Sequence, residues 1–247
     1  MNRYYYDLHM HSCLSPCADN DNTPNNLAGM GALNGLNVMA LTDHNTTKNC
    51  PAFFAAAKRQ GIVPIAGTEL TTAEDIHIVF LFEELEAATE FDLFLQSRRI
   101  LIKNRVDIYG EQLITDENDE VIGKDEHLLS NATTITVEEC AALGKRFGAV
   151  CYPAHIDREA NGIVAVLGTF PKDCGFRCAE FHSAESIEKY SKMYDLDGIT
   201  KLVCSDAHYL WDVSERAGYF DIDDEPYSSV LVRKKLFEIL RAQGENQ

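Results

Sequence analysis

The run Tyr4-Tyr5-Tyr6-Asp7-Leu8-His9-Met10-His11, near the start of the chain, decides how the rest is read. Aromatic residues that favour strands lead into a D-x-H-x-H segment, and side chains alternate faces along a strand. His9 and His11 therefore point one way with Met10 opposite, and two imidazoles one residue apart can grip a single metal ion. Alone, such a pair is more often two surface or half-buried histidines.

Working outward, the arrangement recurs at later strand ends. The apolar run Val38-Met39-Ala40-Leu41 stops at Thr42-Asp43-His44, and Ile62-Val63-Pro64-Ile65-Ala66 leads through Gly67-Thr68 to Glu69. Val150-Cys151-Tyr152-Pro153-Ala154 ends at His155, and Leu202-Val203-Cys204 ends at Ser205-Asp206-Ala207-His208. Five separate strand ends thus deliver His, Asp or Glu. In a parallel barrel the carboxyl ends of the strands converge on one face, which is where such folds build their sites. One shared site accounts for all five ends; a structural role would have to be invoked for each separately.

Between these ends the chain alternates strand and helix. Strands are expected over about 4–9, 38–42, 62–66, 76–82, 149–153, 178–182 and 201–205. Thr23-Pro24 opens a helix that Gly35 closes, and Pro51 opens another that ends on Lys58, Arg59 and Gly61. Thr136 with Glu139 caps a helix over 137–147, and a last helix covers about 229–242. Residues 106–135 interrupt the rhythm: Gln112–Gly123 sets an acidic turn between short apolar runs, a hairpin or lid inserted into the barrel. Residues 1–247 form one α/β domain, with no repeat and no linker.

Composition sets the outer limits. Of 247 residues, 45% are hydrophobic and 25% charged, which excludes a disordered or fibrous chain. Against 39 Asp and Glu stand 22 Lys and Arg, a formal charge of −17 that repels a phosphate backbone and argues against an extended nucleic-acid surface. Bound divalent cations would reverse that sign locally. Eight Cys without any C-x-x-C read mostly as buried thiols of a reducing compartment. No apolar run reaches the roughly 18 residues of a membrane span and no signal-peptide core follows Met1, so a cytoplasmic protein without membrane contact is expected.

Asp7-x-His9-x-His11, Thr42-Asp43-His44, Glu69, His77, His155 and Ser205-Asp206-x-His208 resemble the motifs of the polymerase and histidinol phosphatase (PHP) superfamily, across residues 7 to 208. The resemblance implies a distorted (β/α)7 TIM-like barrel that holds two or three Zn, Mn or Fe ions and hydrolyses phosphoesters. The single-domain length is similar to that of the stand-alone bacterial phosphoesterases. Carried over by position, it implies His9, His11, Glu69 and Asp206 around a first metal, and Glu69, His77 and His155 around a second, with Glu69 bridging. A third would take His44 and His208 plus a ligand from the loop after His11. There the chain departs from the pattern: Cys17 stands where other members have His, or an Asp nearby, with Asp19 and Asp21 behind it. Cys17 is taken as that ligand, with Asp19 or an empty third site as the alternatives, and a thiolate would favour Zn or Fe over Mg.

His77, inside Ile76-His77-Ile78-Val79-Phe80, reads equally as a core side chain, and the resemblance favours a ligand. Asp7 and Asp43 are expected to orient imidazoles. His127 and His182 match no motif and read as structural or surface residues.

Such ligands imply water attack on phosphorus by a metal-activated water, with no nucleophilic side chain. Ser12, Ser15 and Ser205 have no visible base-and-orienter partner. Asp206 or His208 is expected to protonate the leaving oxygen, and Arg158, three residues beyond His155, to bind phosphate, with Lys48 second. The expected substrate is a small phosphorylated metabolite, nucleotide or short oligonucleotide. Two alternatives stand beside this: an amidohydrolase-type metal enzyme, which typically needs a carboxylated Lys that no motif position supplies, and a non-catalytic metal-stabilised binding module.

Overall fold

In the computed structural model, which describes residues 1–242, the order is β1 (Asn2–Asp7), α1 (Pro24–Leu33), β2 (Val38–Leu41), α2 (Cys50–Arg59), β3 (Val63–Thr71) and β4 (His77–Phe82). There follow α3 (Leu85–Gln96), α4 (Val106–Tyr109), β5 (Leu113–Thr115), β6 (Val121–Lys124), α5 (Val137–Phe147) and β7 (Ala149–Pro153). The chain continues through α6 (Ile163–Leu167), β8 (Cys178–Phe181), α7 (Ile187–Tyr194), β9 (Thr200–Val203), β10 (Gly218–Ile222) and α8 (Ser229–Arg241).

One sheet runs β10-β1-β2-β3-β4-β7, and β8 pairs with β9 in parallel. Main-chain bonds bring the two together: Ile156 N–H donates to Glu180 O at 2.8 Å, and Asp206 N–H donates to His9 O at 3.0 Å. The seven expected strands thereby curl into a distorted barrel. Two expectations are corrected. The barrel is not wholly parallel, since β4 runs antiparallel to both β3 and β7, and β3 continues to Thr71 and joins β4 by a tight turn without a helix. An additional strand, β10, pairs antiparallel with β1 and sets Tyr4 opposite Phe220.

Alternation along the strands explains the core. Val38 and Ala40, Val63 and Ile65, Val79 and Leu81, Val150 and Tyr152, and Cys178 and Leu202 share one buried cluster, the barrel interior. Their sequence neighbours Met39, Leu41, Ala66, Ile78, Phe80 and Ala179 belong to a second cluster with the helical Leu27, Phe53 and Phe91. Strands buried on both faces read as continuous apolar runs, as these do. Continuing the interior phase by steps of two reaches His44, Glu69, Glu180 and Asp206 at one mouth. His77 joins them because β4 is reversed, which puts its first residue at that mouth.

Among the described residues no helix is long and apolar enough to cross a membrane. β5 and β6 form an antiparallel hairpin tied to the barrel by Leu113 N–H donating to Cys13 O and by Thr23 Oγ1 donating to Asp119 Oδ2 at 2.7 Å. Thr23 Oγ1 also accepts the N–H of Asn26, capping α1. Thr23→Ala removes both contacts and is expected to destabilise the protein by about 1 kcal/mol. Urea unfolding checks this, and an unchanged midpoint would contradict it.

Candidate metal centre

The mouth of the barrel collects His9, His11, His44, Glu69, His77, His155, Asp206 and His208. All but His77 and His208 are buried, and those two are partly covered. His9 Nε2 lies 3.1 Å from His11 Nε2, 3.4 Å from Glu69 Oε1 and 3.3 Å from Asp206 Oδ1. His11 Nε2 lies 3.1 Å from Asp206 Oδ1 and 3.4 Å from Glu69 Oε2. Ligands held at 2.0–2.2 Å by one tetrahedral or octahedral ion are separated by about 3.0 to 3.5 Å, so these four donors have the spacing of a coordination sphere.

Glu69 also faces the other side. Its Oε1 is 2.7 Å from His77 Nδ1 and 3.1 Å from His155 Nε2, and its Oε2 is 3.0 Å from His44 Nδ1. A third group gathers His11, His44 and His208. Several of these close contacts are not hydrogen bonds: Glu69 Oε2, His44 Nδ1 and His77 Nδ1 are buried with no hydrogen-bond partner. Buried polar atoms left without partners are costly, and here they converge on common points. The donor set, imidazole and carboxylate, fits divalent transition metals.

Charge tells the same story. Burial works against protonation of His9 and His11, but the carboxylates of Glu180, Glu69 and Asp206 overcome it, holding His9 well above the usual histidine value and His11 at about 9. Without metal, protons supply the cationic charge these carboxylates need. Burial, reinforced by His11, pushes His44 down to about 3 and His208 to about 4, leaving both as neutral imidazoles with a free lone pair.

Outer contacts fix the ligands. Asp43 accepts Ser12 N–H and the hydroxyls of Ser12 and Ser15 at 2.7 Å each, and Ser15 Oγ lies 3.0 Å from His11 Nδ1. Asp43 thus orients His11 through Ser15. Asp7 does not orient an imidazole; it accepts the main-chain N–H groups of Ser205 and Ser214, which pins the chain on both sides of Asp206 and His208. Glu180, which sequence reasoning missed, is fully buried with Oε1 2.8 Å from His9 Nδ1 and also accepts His155 N–H. Its one signal is a lone acidic residue in the apolar strand Cys178-Ala179-Glu180-Phe181. Glu180→Gln is expected to weaken metal affinity by roughly 10- to 100-fold with the fold retained. Chelator competition measures this, and unchanged affinity would deny the orienting role.

Three expected residues take other places. Cys17 is exposed and stands apart from every donor group among the described residues. It occupies a left-handed backbone position, φ 71°, in a turn closed by Ala18 N–H on Ser15 O, and its own N–H donates to Tyr109 O. Asp19 spends its carboxylate on Asp21 N–H. Lys48 pairs with Asp125 of the inserted segment at 2.8 Å, away from the cluster. Arg158 does reach the site, with Nη1 2.5 Å from Asp206 Oδ2, and Nη2 lies 3.0 Å from exposed His182.

The family profile described as PHP domain matches residues 7–159 of this chain. A 5'-3' exoribonuclease of Haemophilus influenzae is 36% identical over 112 residues, 44% of this chain and 39% of that protein, so the chain spans well under two thirds of that relative. The lesion-specific endonuclease PfuEndoQ of Pyrococcus furiosus superposes with TM-score 0.64 at 16% identity, covering 97% of this chain and 56% of that one. A proposed metal-dependent phosphoesterase of Bifidobacterium adolescentis superposes with TM-score 0.61 at 17% identity over 94% of this chain and 96% of that one. At such identities the two structures speak for a shared fold.

Proposed function

Because this chain belongs to the PHP domain family of metal-dependent phosphoesterases, we propose that it hydrolyses a phosphoester of a small phosphorylated substrate at the barrel mouth. The observation that carries the reading is Glu69, whose two buried carboxylate oxygens lie within 3.4 Å of ring nitrogens from five histidines. In this reading His9, His11, Glu69 and Asp206 hold one divalent metal, Glu69, His77 and His155 a second, and His44 and His208, with His11 nearby, a third. Bound Zn, Mn or Fe supplies the charge that polarises a phosphoryl oxygen and acidifies a water for attack at phosphorus.

The chain's own residues do the rest. Arg158, half-exposed at the rim, is the cation that meets the phosphoryl oxygens, held in place by Asp206. Burial opposes ionisation of Asp206, but His9 and His11 outweigh it and keep its pKa below the usual carboxylate range. His208 Nδ1 sits 2.8 Å from the Asp206 carbonyl oxygen, which places its hydrogen there and leaves Nε2 with a lone pair. Burial and His11 disfavour a protonated His208, and His9 and His11 favour an ionised Asp206, which supports ligand roles over the expected proton-donor roles for both.

The exoribonuclease and endonuclease among the similar proteins favour nucleotide or oligonucleotide phosphoesters over other metabolites, and weigh against excluding a nucleic-acid surface. Turnover on matched phosphoester and amide panels, after loading with Mn, Zn or Fe, tests the reading. Phosphoester hydrolysis alone supports it, while amide hydrolysis alone, or none, overturns it.

A further inference from the structure

His208 runs directly into a pair of stacked aromatic rings. The Tyr209 and Trp211 ring centroids lie 4.7 Å apart with their planes only 10° from parallel. Trp211 is 75% exposed and Tyr209 39%, so one broad face of the stack stands open to solvent. The turn beneath them is anchored rather than loose. Val213 is buried, Leu210 packs on the core, and Asp212 N–H donates to Tyr209 O at 3.0 Å. The carbonyl oxygen of His208 also accepts Asp19 N–H at 3.0 Å, fixing where the aromatic segment leaves the cluster.

Two residues separate His208 from Trp211, which limits their Cα–Cα distance to about 10 to 11 Å even for fully extended chain. The aromatic turn therefore starts at the metal cluster itself, where Arg158 bonds Asp206 and lies 3.0 Å from exposed His182. Apart from its stack on Tyr209, Trp211 carries most of its ring in the open. A large apolar ring held in the open beside a reactive centre is what a flat ligand needs.

We propose that the Tyr209–Trp211 stack is a docking platform for a nucleobase, so that the substrate is a base-bearing phosphoester with its phosphate at the cluster. This rests on the phosphoesterase reading and names the substrate class of the same site. Every nucleobase offers a π face, so a stacking platform accepts different bases. A chain of net charge −17 suits a ligand that engages one or two bases and a phosphate rather than an extended duplex. The shared ligand chemistry is that of a mononucleotide or of a single-stranded end.

Trp211 is the only tryptophan in the sequence, so fluorescence excited beyond the tyrosine absorption reports on this position alone. In the metal-loaded protein, uridine 5'-monophosphate and a short oligouridylate are expected to quench it, and ribose 5-phosphate to leave it unchanged. Equal quenching by the two base-bearing probes assigns a mononucleotide site; tighter quenching by the oligonucleotide assigns a strand end. Trp211→Ala should raise KM for base-bearing substrates about 5- to 150-fold, the range of one lost base–aromatic stack, with kcat nearly unchanged, and Trp211→Phe should recover most of the loss. Quenching by ribose 5-phosphate equal to that by the nucleotide, or an unchanged KM in Trp211→Ala, overturns the platform. Base-dependent quenching in a protein that hydrolyses no phosphoester leaves the platform standing and removes the phosphoesterase reading.

Discussion

Glu69→Gln is expected to lower phosphoester turnover by about 10²- to 10³-fold or more and to reduce bound metal, while the barrel still folds. The substitution keeps the shape of the side chain and removes its charge. Glu69 is fully buried, and its two oxygens are shared among His9, His11, His44, His77 and His155. Burial by itself raises a carboxyl pKa, yet His77, His9 and His44 outweigh it and hold Glu69 well below the usual range, which favours its anionic form. An anion in the middle of two or three cations is the group whose neutralisation costs most, because every ligand pair loses its common counter-charge at once. Elemental analysis beside kcat measures the outcome. A variant with full metal content and full turnover would show that Glu69 does not bridge.

His77→Leu carries the second large effect. His77 is flanked by Ile76 and Ile78, both fully buried in the outer cluster, while its own face continues through Val79 and Leu81 into the barrel interior. A Leu of similar volume suits that interior, so the thermal midpoint should change little. His77 Nδ1, 2.7 Å from Glu69 Oε1 and without a hydrogen bond, has the position of a ligand. The expected outcome is one metal fewer per chain and turnover down by about a hundredfold or more. Unchanged metal content would make the ring a core side chain.

How much of this was legible in the sequence depended on where each side chain sits along its strand. His9, His11, His44, His155 and Asp206 stand at the ends of apolar runs, where a change from hydrophobic to polar is easy to see. The antiparallel course of β4 was not visible, because the turn Thr72-Ala73-Glu74-Asp75 carries no Gly or Pro to mark a hairpin. Missing that turn also shortened β3, so Glu69 was placed beyond a strand rather than on the inner face of one that runs to Thr71. β10 escaped because Gly218–Ile222 is short, and its pairing with β1 is set by tertiary contact across most of the chain. Glu180 was hidden by its surroundings: its strand lacks the spacing of a metal motif, and only the fold brings it to His9. Cys17 was read from its place in the motif alone, and that position falls in a left-handed turn whose exposed thiol joins no donor group among the described residues.

If the converging strand ends hold metal, elemental analysis of protein purified without chelator finds it there. Two or three Zn, Mn or Fe ions per chain are expected. Fewer than one ion per chain, with no gain on adding Mn, Zn or Fe, would contradict it.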